Sequence, residues 1–181
     1  MKRLRTTSDS PRLSKKEEGV QYFNLAKAYL RTANVVLQDL DSQNPGDAYR
    51  ALPVRFLYSH AAELLLKAYL RMQGKRRSVH ALEVLLNECV TAGLDERFVA
   101  SFRTILPLLQ VGHNESQFRY FEKSIGTPDP HWMQSAIEEV ASAVGTEVHK
   151  HHDAVEQRAK AGNTGLFPQP TKMIISVSGK R

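Results

Sequence analysis

The chain has 181 residues, of which 41% are hydrophobic and 24% charged, with one cysteine and a formal net charge of +6. This composition fits one globular domain with a core and short tails. The lone Cys89 excludes an intramolecular disulfide framework and suits a reducing, cytoplasmic compartment. Glu63 and Lys67 interrupt the most apolar stretch, so no uncharged run reaches the ~20 residues of a membrane span. The basic start Met1 to Ser8 has no apolar stretch behind it and does not read as a secretory signal.

The positive charge is carried by the two ends of the chain. Lys2, Arg3, Arg5, Arg12, Lys15 and Lys16 against Asp9 give residues 1–16 a net +5, Lys172, Lys180 and Arg181 give residues 167–181 a net +3, and the body between them is −2. Basic tails of this kind supply sequence-independent attraction to phosphate. They also keep a small protein soluble, and no aromatic residue is interleaved with these charges to stack on bases.

Five helical segments follow in order. The first is expected from about Lys15 to Leu40, with Val20, Phe23, Ala26, Leu30, Ala33, Leu37 and Leu40 recurring every three or four residues as a core face. Turn formers from Asp41 to Asp47 end it. The second begins near Ala48 or Leu52 and carries two apolar rows: Leu57, Ala61, Leu64, Ala68, Met72 and Tyr58, Ala62, Leu65, Tyr69. Its polar side is Ser59, Glu63, Lys67 and Arg71, and Gly74 is its stop signal. Ser78 is a cap for a third helix over Val79 to Thr91, with Cys89 on its apolar face as a structural thiol. Asp95 is a cap for a fourth, with Pro107 expected to kink or shorten its last turn. Periodicity then lapses from Gly112 to Pro130. Asp129 followed by Pro130 starts a fifth helix that runs to Ala161, about 45 Å if unbroken, so that its far half is expected to project from the body.

The order of the long helix Pro53 to Gly74, the basic turn Lys75-Arg76-Arg77 and the segment Ser78-Val-His-Ala-Leu-Glu-Val-Leu-Leu resembles the second and third helices of the HEPN superfamily, small all-helical domains of nucleic-acid biology. The resemblance covers about residues 15–161. It implies an all-α bundle of about five main helices, with flexible basic tails at 1–14 and 162–181, that pairs as a homodimer. The superfamily mixes metal-independent ribonucleases with members that have lost catalysis. Its ribonucleases carry an arginine followed four to six residues later by a histidine, in a composite site formed between the later helices of two copies.

Two segments relate to that motif. Arg55-Phe-Leu-Tyr-Ser-His60 is the literal match, but it lies early in the second helix, and a five-residue separation turns the two side chains ~140° apart. The segment His113-Asn-Glu-Ser-Gln-Phe-Arg119-Tyr120 sits where the family keeps its motif, with the histidine before the arginine. There Arg119 corresponds to the family arginine and His113 to the histidine, and Asn114 or Glu115 would orient the imidazole. A histidine can take the 2′-hydroxyl proton of RNA and an arginine can stabilise the charged phosphorane. The same residues can equally pin a loop to the body.

Lys75, Arg76 and Arg77, with His80, are candidates for phosphate contact, as are Lys2, Arg3 and Arg5. In the last helix Glu147 and His151, His149 and Asp153, and His152 and Glu156 are each four apart, but the pairs point in different directions, so no metal site is expected. A Gly-rich phosphate loop, a nucleophile elbow and a zinc-type cysteine pattern are all missing, and no cofactor is expected. The leading expectation is a non-catalytic or degenerate HEPN-like module that dimerises and engages RNA or a protein partner such as an antitoxin. The alternative is a metal-independent endoribonuclease, of toxin or phage-defence type, using Arg119 and His113. A purely structural partner of another enzyme would have no nucleic-acid affinity.

Overall fold

The computed structural model of the chain describes residues 13–43, 48–114 and 129–161. The described residues are helical, without strands, and none of their helices is long and apolar enough to cross a membrane. The elements are α1 (Lys15–Gln43), α2 (Ala48–Met72), α3 (Leu82–Thr91), a 3-10 turn (Glu96–Phe98), α4 (Ala100–Asn114) and α5 (Pro130–Ala161). Among the described residues the chain therefore forms the expected all-α bundle of five main helices.

Local signals mark several of the helix ends. Ser14 and Glu17 form a reciprocal capping box at the head of α1: the Glu17 N–H donates to Ser14 Oγ at 3.2 Å and the Ser14 N–H to Glu17 Oε2 at 2.7 Å. α2 closes at Gly74, whose φ of 73° is left-handed. There the Lys75 N–H reaches the Leu70 carbonyl and the Gly74 N–H the Arg71 carbonyl, the two bonds of a Schellman motif. α3 ends in the same way at Gly93, with Leu94 bonding back to Cys89 and Gly93 to Val90. At the head of α5 the Asp129 carboxylate accepts from the His131 N–H at 2.8 Å.

Three boundaries differ from expectation. Ser78 does not cap α3; residues 75–81 are non-helical and the helix starts at Leu82, after an extended Ala81 with no side-chain cap. Asp95 caps the short 3-10 turn rather than α4, accepting from the Arg97 N–H at 2.9 Å. α4 carries Pro107 in its interior and continues through Gly112 to Asn114, so His113 and Asn114 belong to its last turn instead of a loop.

α2 is the axis of the bundle. α1 packs along it most extensively, and α5, α3 and α4 cover its other sides. From Ala61 to Met72 every residue of α2 is buried. Two close approaches make this possible. A Cβ at Gly19 would stand 2.8 Å from Met72 Sδ and 3.2 Å from the Ala68 carbonyl, and one at Gly145 would stand 3.2 Å from the Phe23 ring. Backbone thus replaces side chain where α1 crosses α2 and α5. α5 buries Met133, Ala136, Ile137, Val140, Ala143, Val144 and Val148. Beyond Val148 its described side chains are exposed or half-buried, as a projecting end requires.

Candidate nucleic-acid interface

The row Ser59, Glu63, Lys67, Arg71 recurs every four residues along α2 and reads in the sequence as that helix's solvent side. It is buried, with Ser59 at 0% and Lys67, the most open of the four, at 8% exposure. Charged side chains are buried at this level almost only when paired, and partners reach this row from three elements. Lys67 Nζ donates to Glu63 Oε1 at 2.6 Å, and His80 Nδ1 lies 2.9 Å from the same oxygen. His60 Nδ1 is 3.7 Å from Glu63 Oε2, and its ring makes an edge contact with Tyr29 and a stacked one with Phe56. One turn on, Arg71 Nε faces Glu18 Oε2 of α1 at 3.0 Å, as an ion pair without the alignment of a hydrogen bond. The Arg71 guanidinium also lies over the Tyr22 ring.

The non-helical strap 75–81 and the head of α1 meet the row at Glu63, Lys67 and Arg71. Lys15 Nζ donates to the Gly74 carbonyl at 2.7 Å, Arg76 pairs with the second oxygen of Glu18, and Arg77 Nε donates to Glu88 of α3 at 2.6 Å. Three carboxylates, Glu18, Glu63 and Glu88, thus hold together an end of the bundle that carries Lys15, Lys67, Arg71, Lys75, Arg76 and Arg77. The balance there is positive in a body that is otherwise net negative. Arg76 and Arg77 keep about half of their side-chain surface in solvent, and the His80 side chain is more exposed still. With Nδ1 held against Glu63, the Nε2 edge of His80 is left for solvent or a ligand.

The Lys15 bond has a second consequence. It brings Lys15 itself beside the strap, at the same end of the bundle as Lys75, Arg76 and Arg77. Lys2, Arg3 and Arg5 themselves lie outside the described residues.

The other sequence candidates are placed less closely. His113 and Asn114 are in the last turn of α4, and Glu115 and Arg119 lie outside the described residues. His60 turns to Tyr29, Phe56 and Glu63, whereas Arg55 is half-buried, its pKa lowered by desolvation and supported by the charge of Asp129. Cys89 is buried, donates to the Leu66 carbonyl and has its thiol pKa pushed well up by burial, the state of a structural thiol rather than a nucleophile. Among the described residues no three His, Cys, Asp or Glu side chains meet in a way that would hold a metal ion. Glu147 is engaged instead by Lys150 at 2.7 Å.

One apolar feature lies apart from the basic end. Trp132 is 67% exposed at the head of α5, beside an open groove of about 570 Å³ whose other wall is Ala100, Ser101, Thr104 and Ile105 of α4.

Sequence reasoning missed the burial of the α2 row and the bridging role of Glu18. The signal for the first was the pair of apolar rows on either side of it, which leave α2 no wide polar face. Comparison of the chain with protein-family models, with curated proteins and with solved structures returns no match.

Proposed function

We propose that the chain is a non-catalytic, HEPN-like helical module that pairs with a second copy of itself and engages RNA through the basic end of the bundle. One observation carries this reading: the Lys15 to Gly74 hydrogen bond sets Lys15 beside the strap Lys75-Arg76-Arg77, so that cations from two distant stretches of the sequence share one end of the bundle. Arg76 and Arg77 are half exposed and anchored by carboxylates, and an anchored guanidinium loses less side-chain entropy when it meets a phosphate. The strap lies between two helices, so an extended single strand can run past it without a groove to enter.

The test is fluorescence anisotropy of a labelled single-stranded RNA over a series of salt concentrations. Affinity should fall steeply with salt. Deleting residues 2–12, or changing Lys75 and Arg77 to alanine, should weaken binding and flatten the slope by about 0.7 for each phosphate that is no longer neutralised. Equal affinity and slope in all forms would sink the reading. Cleavage of the RNA in EDTA by the wild type, abolished in His113→Ala and in Arg119→Ala, would replace it with an endoribonuclease.

A further inference from the structure

A crevice of about 240 Å³ opens between the end of α2, the turn after α3 and the middle of α5. It belongs to the same end of the bundle as the strap. Tyr69 on one wall lies five residues before Gly74, where the strap begins, and Glu147 and Lys150 stand on the other.

The crevice is lined as a planar, polar ligand would require. Tyr69 is 3% exposed, yet among the described residues its hydroxyl finds only the Ala92 carbonyl, at 3.5 Å, beyond the usual length of such a bond. A buried hydroxyl held this loosely gains from any closer acceptor. Gly93 leaves the approach open: its φ of 101° excludes most side chains, and the nearest atom to a Cβ built there is Tyr69 Oη, at 3.7 Å. Across the opening stand Glu147 and Lys150, paired with each other at 2.7 Å, the carboxylate keeping further acceptor sites and the ammonium further donors for a ligand. Phe98 lines the crevice as well and is 41% exposed, so part of its ring is open to a ligand. The volume is below the ~300–1,000 Å³ of pockets for drug-sized ligands and suits a single heterocycle.

We propose that this crevice is a nucleobase subsite, in which an unpaired base carrying an exocyclic amino group enters edge first. Its ring lies against Phe98, its amino group donates to Glu147, and its adjacent ring nitrogen or carbonyl accepts from the Tyr69 hydroxyl or from Lys150. Cytosine meets this pattern with N4 as donor and N3 and O2 as acceptors. In the same orientation uracil would set its O4 carbonyl against Glu147, which is unfavourable, and it would have to turn to offer its N3–H. Aromatic stacking together with edge recognition is how single-stranded RNA is read where phosphate contacts alone are blind to sequence. The subsite rests on the RNA-binding reading above, with the strap supplying attraction and the crevice supplying preference.

The experiment compares labelled oligocytidylate and oligouridylate of equal length against the full chain at fixed salt. Wild type should favour oligocytidylate by about five- to a hundredfold. Tyr69→Phe and Glu147→Ala should each reduce that ratio towards one without changing the salt slope, and Phe98→Ala should weaken both ligands. Arg77→Ala should weaken both ligands and flatten the slope while leaving the ratio as it was, and thermal melts check that each variant is folded. If RNA binds with equal affinity to both ligands, or the ratio survives in Tyr69→Phe and Glu147→Ala, the subsite is wrong and the basic end stands. If wild type binds neither RNA, both readings fall together.

Discussion

Glu63 and Lys67 form an ion pair at 2.6 Å on a stretch of α2 that is buried on every side, with 6% and 9% of their side chains in solvent. A pair so placed adds less stability than its Coulomb attraction suggests, because both ions have lost their water. Breaking it is another matter, since the remaining charge stays in the interior. Lys67→Met should strip Glu63 of its closest cation and destabilise the fold by ~3–5 kcal/mol. The double variant Glu63→Gln with Lys67→Met should recover much of that loss. Urea denaturation of the three proteins measures the difference, and a single variant as stable as wild type would contradict the burial of the row.

Gly19 should not tolerate even a methyl group. A Cβ there meets the Ala68 carbonyl and the Arg71 Cβ as well as the flexible Met72 sulfur, so α1 would have to move off α2. The ordinary helix-propensity gain of alanine over glycine, about 1 kcal/mol, is then outweighed by overpacking of ~1–3 kcal/mol. A melting temperature raised in Gly19→Ala would show that the two helices are further apart.

Stability should fall under alkaline conditions. Burial raises the pKa of the Cys89 thiol and of the Tyr58 hydroxyl above the unfolded values of 9.0 and 10.0, and Glu138 and Asp41 add to the effect at Tyr58. Both groups hold their protons more tightly in the folded chain. Their contribution is complete below the unfolded values, and it is lost as pH rises and the unfolded chain releases those protons. The urea midpoint should therefore hold level up to about pH 9 and then drop towards about pH 10.5, by an amount that corresponds to roughly 1 kcal/mol for each pH unit above a group's unfolded value, so that Cys89 contributes more of the loss than Tyr58. A midpoint that stays level would mean these groups are more open than they are here. The same burial predicts that a thiol reagent labels Cys89 at neutral pH only after denaturation.

The proposed pairing of two copies can be read from sedimentation at micromolar concentration. Trp132 is the most exposed large apolar side chain among those described, and tryptophan is a residue type that anchors interfaces. Trp132→Glu should shift a dimer towards monomer while leaving helix content unchanged. A wild-type monomer would remove the pairing from the proposal.

The all-helical architecture was legible in the residues themselves. Apolar spacing of three and four located all five helices, and Gly74 with Asp129 marked a stop and a start, because caps and amphipathic faces are local properties that need no knowledge of neighbours. Pro107 does not shorten α4, which runs on to Asn114: losing one hydrogen bond is a local cost, and the packing of α4 through Phe102, Ile105, Leu106 and Leu109 outweighs it.

The basic end depended on tertiary structure. Lys15 and Gly74 are 59 residues apart, and Arg76 and Glu18 are 58 apart; no periodicity predicts such meetings. Ser59, Glu63, Lys67 and Arg71 have the spacing of an exposed helical face, yet the face is interior, with His80 of the strap reaching Glu63 and Lys67, and Glu18 of α1 reaching Arg71. Hydrophobic pattern reports what a helix can bury by itself. It does not report which polar groups will be covered by another segment that brings their counter-charges with it, and that is how this chain assembles the cluster at the end of α2.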